Sequence, residues 1–417
     1  MAYSDGPIGR AALRGTALLV IFALSSAPSS AQEATAASDG EIGTVREIYD
    51  GRLLPDIQVR TFRNIDKLFP TRTVEASDTP RPLPEGEPAD LTQLEFTVED
   101  ETYDLFEAIS LNRISGLLVL KDGEIVFEDY ELGNDRDTRW MSMSIVKSIT
   151  STLIAAAIED GSIASIDDTL PTYVPELEGS AYGPVTVSQL LTMSSGVQWN
   201  ETYTDPSSDR RQMLDLQIEQ EPGAVLDFMA SLPRIAEAGS VWNYSTGETS
   251  VAAALVEGAT GKHLADYLSE KIWKPYGMET DATWWLASPD GIEIGGSGLS
   301  ATLRDYARFG QFVLEGGVID GERVVPEGWF PAAGQPREIG GEMTDYGQMW
   351  WPVAKGEAFR NDDAFAAIGI FGQHVYINPA RNVVIAMWSA QPKPLYSKPV
   401  SEYSFLEAVT EFVAPSR

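Results

Sequence analysis

The sequence predicts an α+β fold in which one antiparallel sheet is assembled from both ends of the chain, is flanked by helices and has a mostly helical domain inserted in its middle. Three observations carry this. Two β-rich runs, Ser115–Leu120 and Ile125–Tyr130, are joined by Lys121, Asp122, Gly123 and Glu124, and Asp-Gly supplies the positive φ of a tight hairpin turn. Strand character returns near the C-terminus at Ala367–Asn378 and Val383–Ala390. Between these ends, from about Ser165 to Gly310, helical and loop patterns alternate with Gly and Pro punctuation and no clear run of paired strands.

Taken in order, residues 1–31 combine Arg10 and Arg14 with an apolar run from Ala17 to Leu24 and the small residues Ser29 and Ala31, the pattern of a cleaved export signal. The run falls far short of the roughly 20 apolar residues that span a bilayer. The expectation is an exported bacterial protein, periplasmic or secreted, with no membrane association after cleavage near Gln32. Residues 32–100 form an N-terminal arm, in which Pro80, Pro82, Pro84 and Pro88 mark an extended surface segment. Residues 101–417 form the main domain, with sheet parts at about 101–165 and 311–417 and a helical part at about 166–310. After the first hairpin, Ser142–Ile158 has apolar residues at helical spacing and many small ones, which predicts a helix buried on most sides. Ser401–Val413 is a last amphipathic stretch, and there is no internal repeat.

With 417 residues, 43% of them hydrophobic, the chain can build two substantial cores or one large one with insertions. It contains no cysteine, which excludes disulfides, thiol catalysis and Cys-based zinc sites. Thirty basic against 62 acidic residues give a net charge of -32, which repels nucleic acid and anionic membranes. No D-x-[DN]-x-[DN]-G loop accompanies this acidity, so it points to a solvated surface rather than a metal site.

Only two histidines are present, His263 and His374, and no G-x-S-x-G elbow precedes a helix, so a Ser-His-Asp triad is poorly supported. The alternative base lies in Ser144-Ile145-Val146-Lys147, the chain's one S-x-x-K, in the first turn of the buried helix. Three residues along a helix set Ser144 and Lys147 on one face, where a neutral amine can take the hydroxyl proton during attack. Burial and the positive end of the helix dipole both push a lysine pKa down towards working pH, and the same helix end favours an oxyanion.

At this point the chain resembles the serine β-lactamase-like hydrolases, the class of the class C β-lactamases, the penicillin-binding proteins and their esterase and amidase relatives. That resemblance implies Ser144 as the acylated nucleophile and Lys147 as its partner. Asn243-Tyr244-Ser245-Thr246-Gly247 is similar to the class's tyrosine turn, which implies that Tyr244 shares the proton and passes it to the leaving group. The class's third element, K-T-G or H-T-G, corresponds to the strand Ala367-Ile368-Gly369-Ile370-Phe371-Gly372-Gln373, without its Lys or His. Backbone N–H groups of Ser144 and Ile370 are then the implied oxyanion hole, with Gly369 and Phe371 beside the substrate.

Longer stretches resemble the branch of 6-aminohexanoate-dimer hydrolases and periplasmic esterases. They include Phe62-Arg63-Asn64 through Leu68-Phe69-Pro70-Thr71-Arg72, Leu190 through Trp199-Asn200-Glu201, and Arg304-Asp305-Tyr306-Ala307-Arg308-Phe309-Gly310. In that branch a tyrosine following the Trp-x-Glu stretch contributes a hydroxyl, which implies a role for Tyr203. The implied function is hydrolysis of a small-molecule ester or linear amide through an acyl-enzyme, with no cofactor and no metal. Loss of the third-motif cation, which in the class holds a substrate carboxylate, ranks β-lactamase and D-Ala-D-Ala peptidase activity below this; Arg360 and Lys398 are the candidate replacements. Thr246 in place of the motif asparagine weakens the β-lactamase reading further. Trp199, Trp242, Trp350, Trp351 and Phe371 are candidate walls of an apolar acyl pocket.

Each residue has a plainer reading beside the functional one. Tyr244 suits a core tyrosine, Gly369 and Gly372 suit strand irregularities, and Tyr203 suits a loop anchor. His374 fits a structural sheet position and His263 a helix start. A non-catalytic binding or assembly module on the same fold is the rival from another class, and it would be expected to have lost Ser144 or Lys147, which this chain keeps.

Overall fold

In the computed structural model, residues 40–353, 362–395 and 400–415 are described. The expected signal at 1–31, and the candidate cations Arg360 and Lys398, lie outside these residues. The central sheet is antiparallel throughout and runs in the order Trp351–Pro352, Phe365–Gly369, Gln373–Asn378, Val383–Ser389, Ile114–Lys121, Glu124–Tyr130. The two ends of the chain meet where Val383–Ser389 pairs with Ile114–Lys121, with Ile385 opposite Val119. Asp122 (φ 55°) and Gly123 (φ 81°) make the expected hairpin turn.

The run Ile114–Lys121 is apolar at nearly every position because both faces of the sheet are covered. Alternate side chains enter different cores, as the period of two requires. Leu118, Leu120, Val384 and Ala386 join one core with Ile149 and Phe309. Leu117, Val119, Ile385 and Met387 join the other with Leu105 and Ala108 of the helix Leu105–Asn112 and Phe405, Leu406 and Val409 of the C-terminal helix Glu402–Val413.

Two expectations are corrected. The run Ala367–Asn378 is a hairpin rather than one strand, because Phe371 (φ 65°) and Gly372 (φ 87°) adopt left-handed backbone and turn the chain so that Gly369 faces Gln373. The stretch from Ser165 to Gly310 does contain paired strands. Ala282–Trp285 and Leu299–Thr302 pair with each other, and with Thr71–Val74 and Arg139–Met141, in a second, four-stranded sheet. These strands are four residues long and buried at every position, so they show no alternation that a pattern search could find.

The N-terminal arm supplies one strand of this second sheet and buries Phe62 and Ile65 completely. The described residues from Glu41 onward form one compact unit. The middle of the chain is otherwise helical, with Asp209–Glu219, Ala224–Ser231 and Thr246–Thr260 among its helices. Among the described residues no helix is long and apolar enough to cross a membrane.

Candidate active site

The expected buried helix runs Ile145–Glu159, and Ser144 stands at its N-cap. A serine there ordinarily spends its hydroxyl on a backbone N–H of the first turn. Ser144 makes no such bond, which leaves its Oγ available. The preceding Met143 is held at φ 45°, a costly conformation for a residue with a side chain, and such strain concentrates at functional sites. The helix is pinned from behind: the hydroxyls of Ser148, Thr150 and Ser151 donate to the carbonyls of Met349, Gly295 and Gln348.

One turn on, Lys147 is 2% exposed and its Nζ lies 3.1 Å from Ser144 Oγ and 2.7 Å from the Gly296 carbonyl. A β-carbon at Gly296 would fall 2.2 Å from Thr249 Oγ1 and 3.0 Å from Lys147 Nζ, so that carbonyl approaches the amine only because the residue is glycine. Burial lowers the Lys147 pKa to about 7; Glu201 opposes the shift and Arg210 adds to it. The amine is therefore poised to lose its proton near neutrality.

Tyr244 lies in the segment before the helix Thr246–Thr260, and its hydroxyl interacts with Ser144. Burial, and after it Glu201, raise its pKa well above the ordinary phenol value, so it keeps its proton where Lys147 gives its proton up. Its ring is fixed against Tyr346 and Trp351, with centroids 5.8 and 5.5 Å away, and Lys147 Nζ sits 5.6 Å from the ring centre.

Ser144, Tyr203, Tyr244, Gly369, Ile370 and Phe371 all line one cavity of about 580 Å³. Gly369 is pressed against Ser144: a β-carbon there would lie 3.0 Å from Ser144 N and 2.7 Å from the Ser142 carbonyl. Ile370 follows the last paired residue of its strand, begins the tight turn and lines the cavity. Phe371 is 1% exposed and packs edge-on to Phe62, which makes it core as much as wall. Tyr203 is buried and stacks on Tyr49 at 6.2 Å.

Of the four candidate tryptophan walls, Trp351 lines the cavity. Trp350 packs on Phe309, Phe330 and Phe365, Trp242 packs on Tyr346 and Trp351, and Trp199 donates its indole N–H to Glu201. Neither histidine is in the lining. His374, on a sheet strand, pairs with Glu402 of the C-terminal helix at 2.9 Å, and His263 stands at the N-cap position of the helix Leu264–Leu268, in line with their expected places.

Three charged groups at or beside the cavity escape the sequence reading, Glu201, Arg210 and Glu402, the last from the start of the C-terminal helix. Glu201 lines the cavity and accepts from the Thr246 N–H at 2.9 Å and from the Thr246 hydroxyl. Its signal in the sequence is the Trp199-Asn200-Glu201 stretch itself. Arg210 is 1% exposed, its guanidinium sits 4.3 Å from the Tyr49 ring centre, and its Nε and Nη1 have no hydrogen-bond partner. No pattern marks it, because an arginine within a polar helix ordinarily faces water.

A buried amine of lowered pKa beside an uncommitted serine hydroxyl, at the positive end of a helix, can form and break an acyl bond. The family model described as Beta-lactamase matches residues 112–406. The 6-aminohexanoate-dimer hydrolase of Paenarthrobacter ureafaciens is 32% identical over 358 residues, 80% of this chain and 85% of that protein. A solved structure from Bacillus anthracis, named as a candidate 6-aminohexanoate-dimer hydrolase, is 25% identical with a TM-score of 0.73 and covers 86% of this chain and 92% of its own. A family VIII carboxylesterase shares the fold, with a TM-score of 0.58 at 17% identity over 79% of this chain and 99% of its own.

Proposed function

Given that this chain belongs to the beta-lactamase family and is a serine hydrolase, we propose that it cleaves a small carboxylic ester or linear amide through an acyl-enzyme on Ser144. The observation that carries this reading is the 3.1 Å approach of Lys147 Nζ to Ser144 Oγ, by an amine that burial brings to a pKa of about 7. Neutral Lys147 takes the Ser144 proton as Oγ attacks the substrate carbonyl. The oxyanion is held by the backbone N–H groups of Ser144 and Ile370. Tyr244, which stays protonated, gives its proton to the leaving oxygen or nitrogen and is reprotonated from Lys147. Water then enters, loses a proton along the same path, and releases the acid. Tyr203 and Phe371 contact the bound substrate from the cavity wall, and the chemistry requires no cofactor.

The same pocket ranks the substrates. Its charged lining among the described residues is Glu201 and Glu402, with no lysine or arginine, so it offers a substrate carboxylate repulsion rather than a clamp. That favours esters and linear amides over penicillins and D-Ala-D-Ala peptides. Export of the chain, directed by residues 1–31, belongs to this proposal and sets the reaction outside the cytoplasm.

The test is intact-mass spectrometry of the mature protein after exposure to p-nitrophenyl acyl esters and to a fluorophosphonate, beside Ser144→Ala. One adduct, absent from the variant, is the expected result. A folded wild type that forms no adduct would return the chain to the class of binding modules.

A further inference from the structure

A second cavity, of about 480 Å³, shares no lining residue with the one at Ser144. Ser250, Ala254 and Glu257 face it from successive turns of the helix Thr246–Thr260, Gln217 from the helix Asp209–Glu219, and Val174, Val225 and Ile294 give it buried apolar walls. Two polar atoms in this lining are buried without a hydrogen-bond partner, Gln217 Nε2 and Glu257 Oε2. Gln217 is 2% exposed, so its amide donor has no water-exposed alternative. A buried amide left unpaired is costly, and most such groups in folded proteins have a partner.

The charge of the cavity is one-sided. Glu176, Glu221, Glu257 and Glu293 line it, and among the described residues no lysine or arginine does. Glu293 is already satisfied, because it accepts from Arg72 Nη1 at 2.6 Å and from the N–H groups of Leu264 and Ala265. Glu257 has an ionic neighbour in His263, whose Nδ1 stands 3.5 Å from its Oε2, but that oxygen accepts no hydrogen bond. Glu176 and Glu221 stand exposed at the mouth.

We propose that this cavity is a second ligand site, for a small organic cation with an ammonium group at one end of a short apolar stem and a hydrogen-bond acceptor at the other. The ammonium pairs with Glu257 under the field of the two mouth glutamates, the stem lies along Val174, Val225 and Ile294, and the acceptor takes the free N–H of Gln217.

The probes are 6-amino-1-hexanol, hexylamine and 1-hexanol, none of which a hydrolase can cleave, titrated by calorimetry into wild type, Ser144→Ala, Glu257→Gln and Gln217→Leu. Binding of 6-amino-1-hexanol at one site is expected in wild type and unchanged in Ser144→Ala. Glu257→Gln should weaken both amines about tenfold, the order of a lost charged hydrogen bond. Gln217→Leu should weaken 6-amino-1-hexanol and leave hexylamine unaltered, and 1-hexanol should bind at least about tenfold less well than 6-amino-1-hexanol. Glu257 is only partly buried, so Glu257→Gln is expected to fold, with p-nitrophenyl ester hydrolysis as its check, and the contrast between the two amines on wild type reads the Gln217 contact without any variant. No binding at millimolar concentration, equal binding of 1-hexanol, or binding indifferent to both cavity substitutions would each overturn the proposal.

Discussion

Gly369 and Ser144 meet backbone to backbone: the space that a side chain at 369 would fill is already held by the N–H of Ser144 and the carbonyl of Ser142. Gly369→Ala must therefore push the turn away from the helix start. The two backbone donors of the proposed oxyanion site then lose their common focus, and kcat for a p-nitrophenyl ester should fall about a hundredfold, the range for one lost donor. Steady-state kinetics beside a thermal melt separates this from unfolding, since the melting temperature should drop far less than the rate implies.

The acid limb of activity should report Lys147. Its amine works only when neutral, so kcat/KM should rise with pH through about 7 and level above it. Arg210 lowers this pKa and Glu201 raises it. Arg210→Met should move the limb to higher pH, and Glu201→Gln should move it to lower pH. A pH profile unmoved by both substitutions would assign the limb to another group.

Lys147 should also cost the fold stability. Its folded pKa of about 7 lies below the ordinary lysine value, so between those two pH values the unfolded chain holds a proton that the folded chain has released. Stability then rises with pH through that window, and the penalty is greatest below pH 7. Lys147→Met should abolish turnover yet raise the melting temperature, with the difference largest near pH 6 and shrinking towards pH 10. Differential scanning calorimetry across that range is the measurement.

Glu248 presents the opposite sign. It is buried beneath the site, accepts from the Ser195 hydroxyl, and burial raises its pKa to about 8. A raised acid pKa contributes stability that is present at low pH and lost as pH climbs from the unfolded value through 8. Glu248→Gln should remove this dependence, so its gain over wild type should grow from pH 5 to pH 8.

The parts of this molecule that were legible in its sequence are those written in local patterns. The Asp122-Gly123 hairpin, the buried helix after Ser144 and the serine-lysine spacing each follow from turn chemistry or periodicity over a few residues. The second sheet was not legible because Ala282–Trp285 is too short and too uniformly buried to alternate, and its partner strand Thr71–Val74 lies in what read as an arm. The turn at Phe371 was hidden because a non-glycine residue takes the left-handed conformation there. Glu201 and Arg210 act through charge at a distance in three dimensions, a relationship that spacing along the chain does not encode.

The sheet built from both chain ends has a consequence for biosynthesis. Ile114–Lys121 emerges from the ribosome long before its neighbour Val383–Ser389. Until then its inner edge is unpaired, and the helix Ile145–Glu159 packs against a layer that does not yet exist. Contacts of such long sequence separation slow closure of the fold. Closure of the sheet thus waits on Val383–Ser389, and a chain terminated before Val383 leaves an open strand edge prone to pairing with other copies.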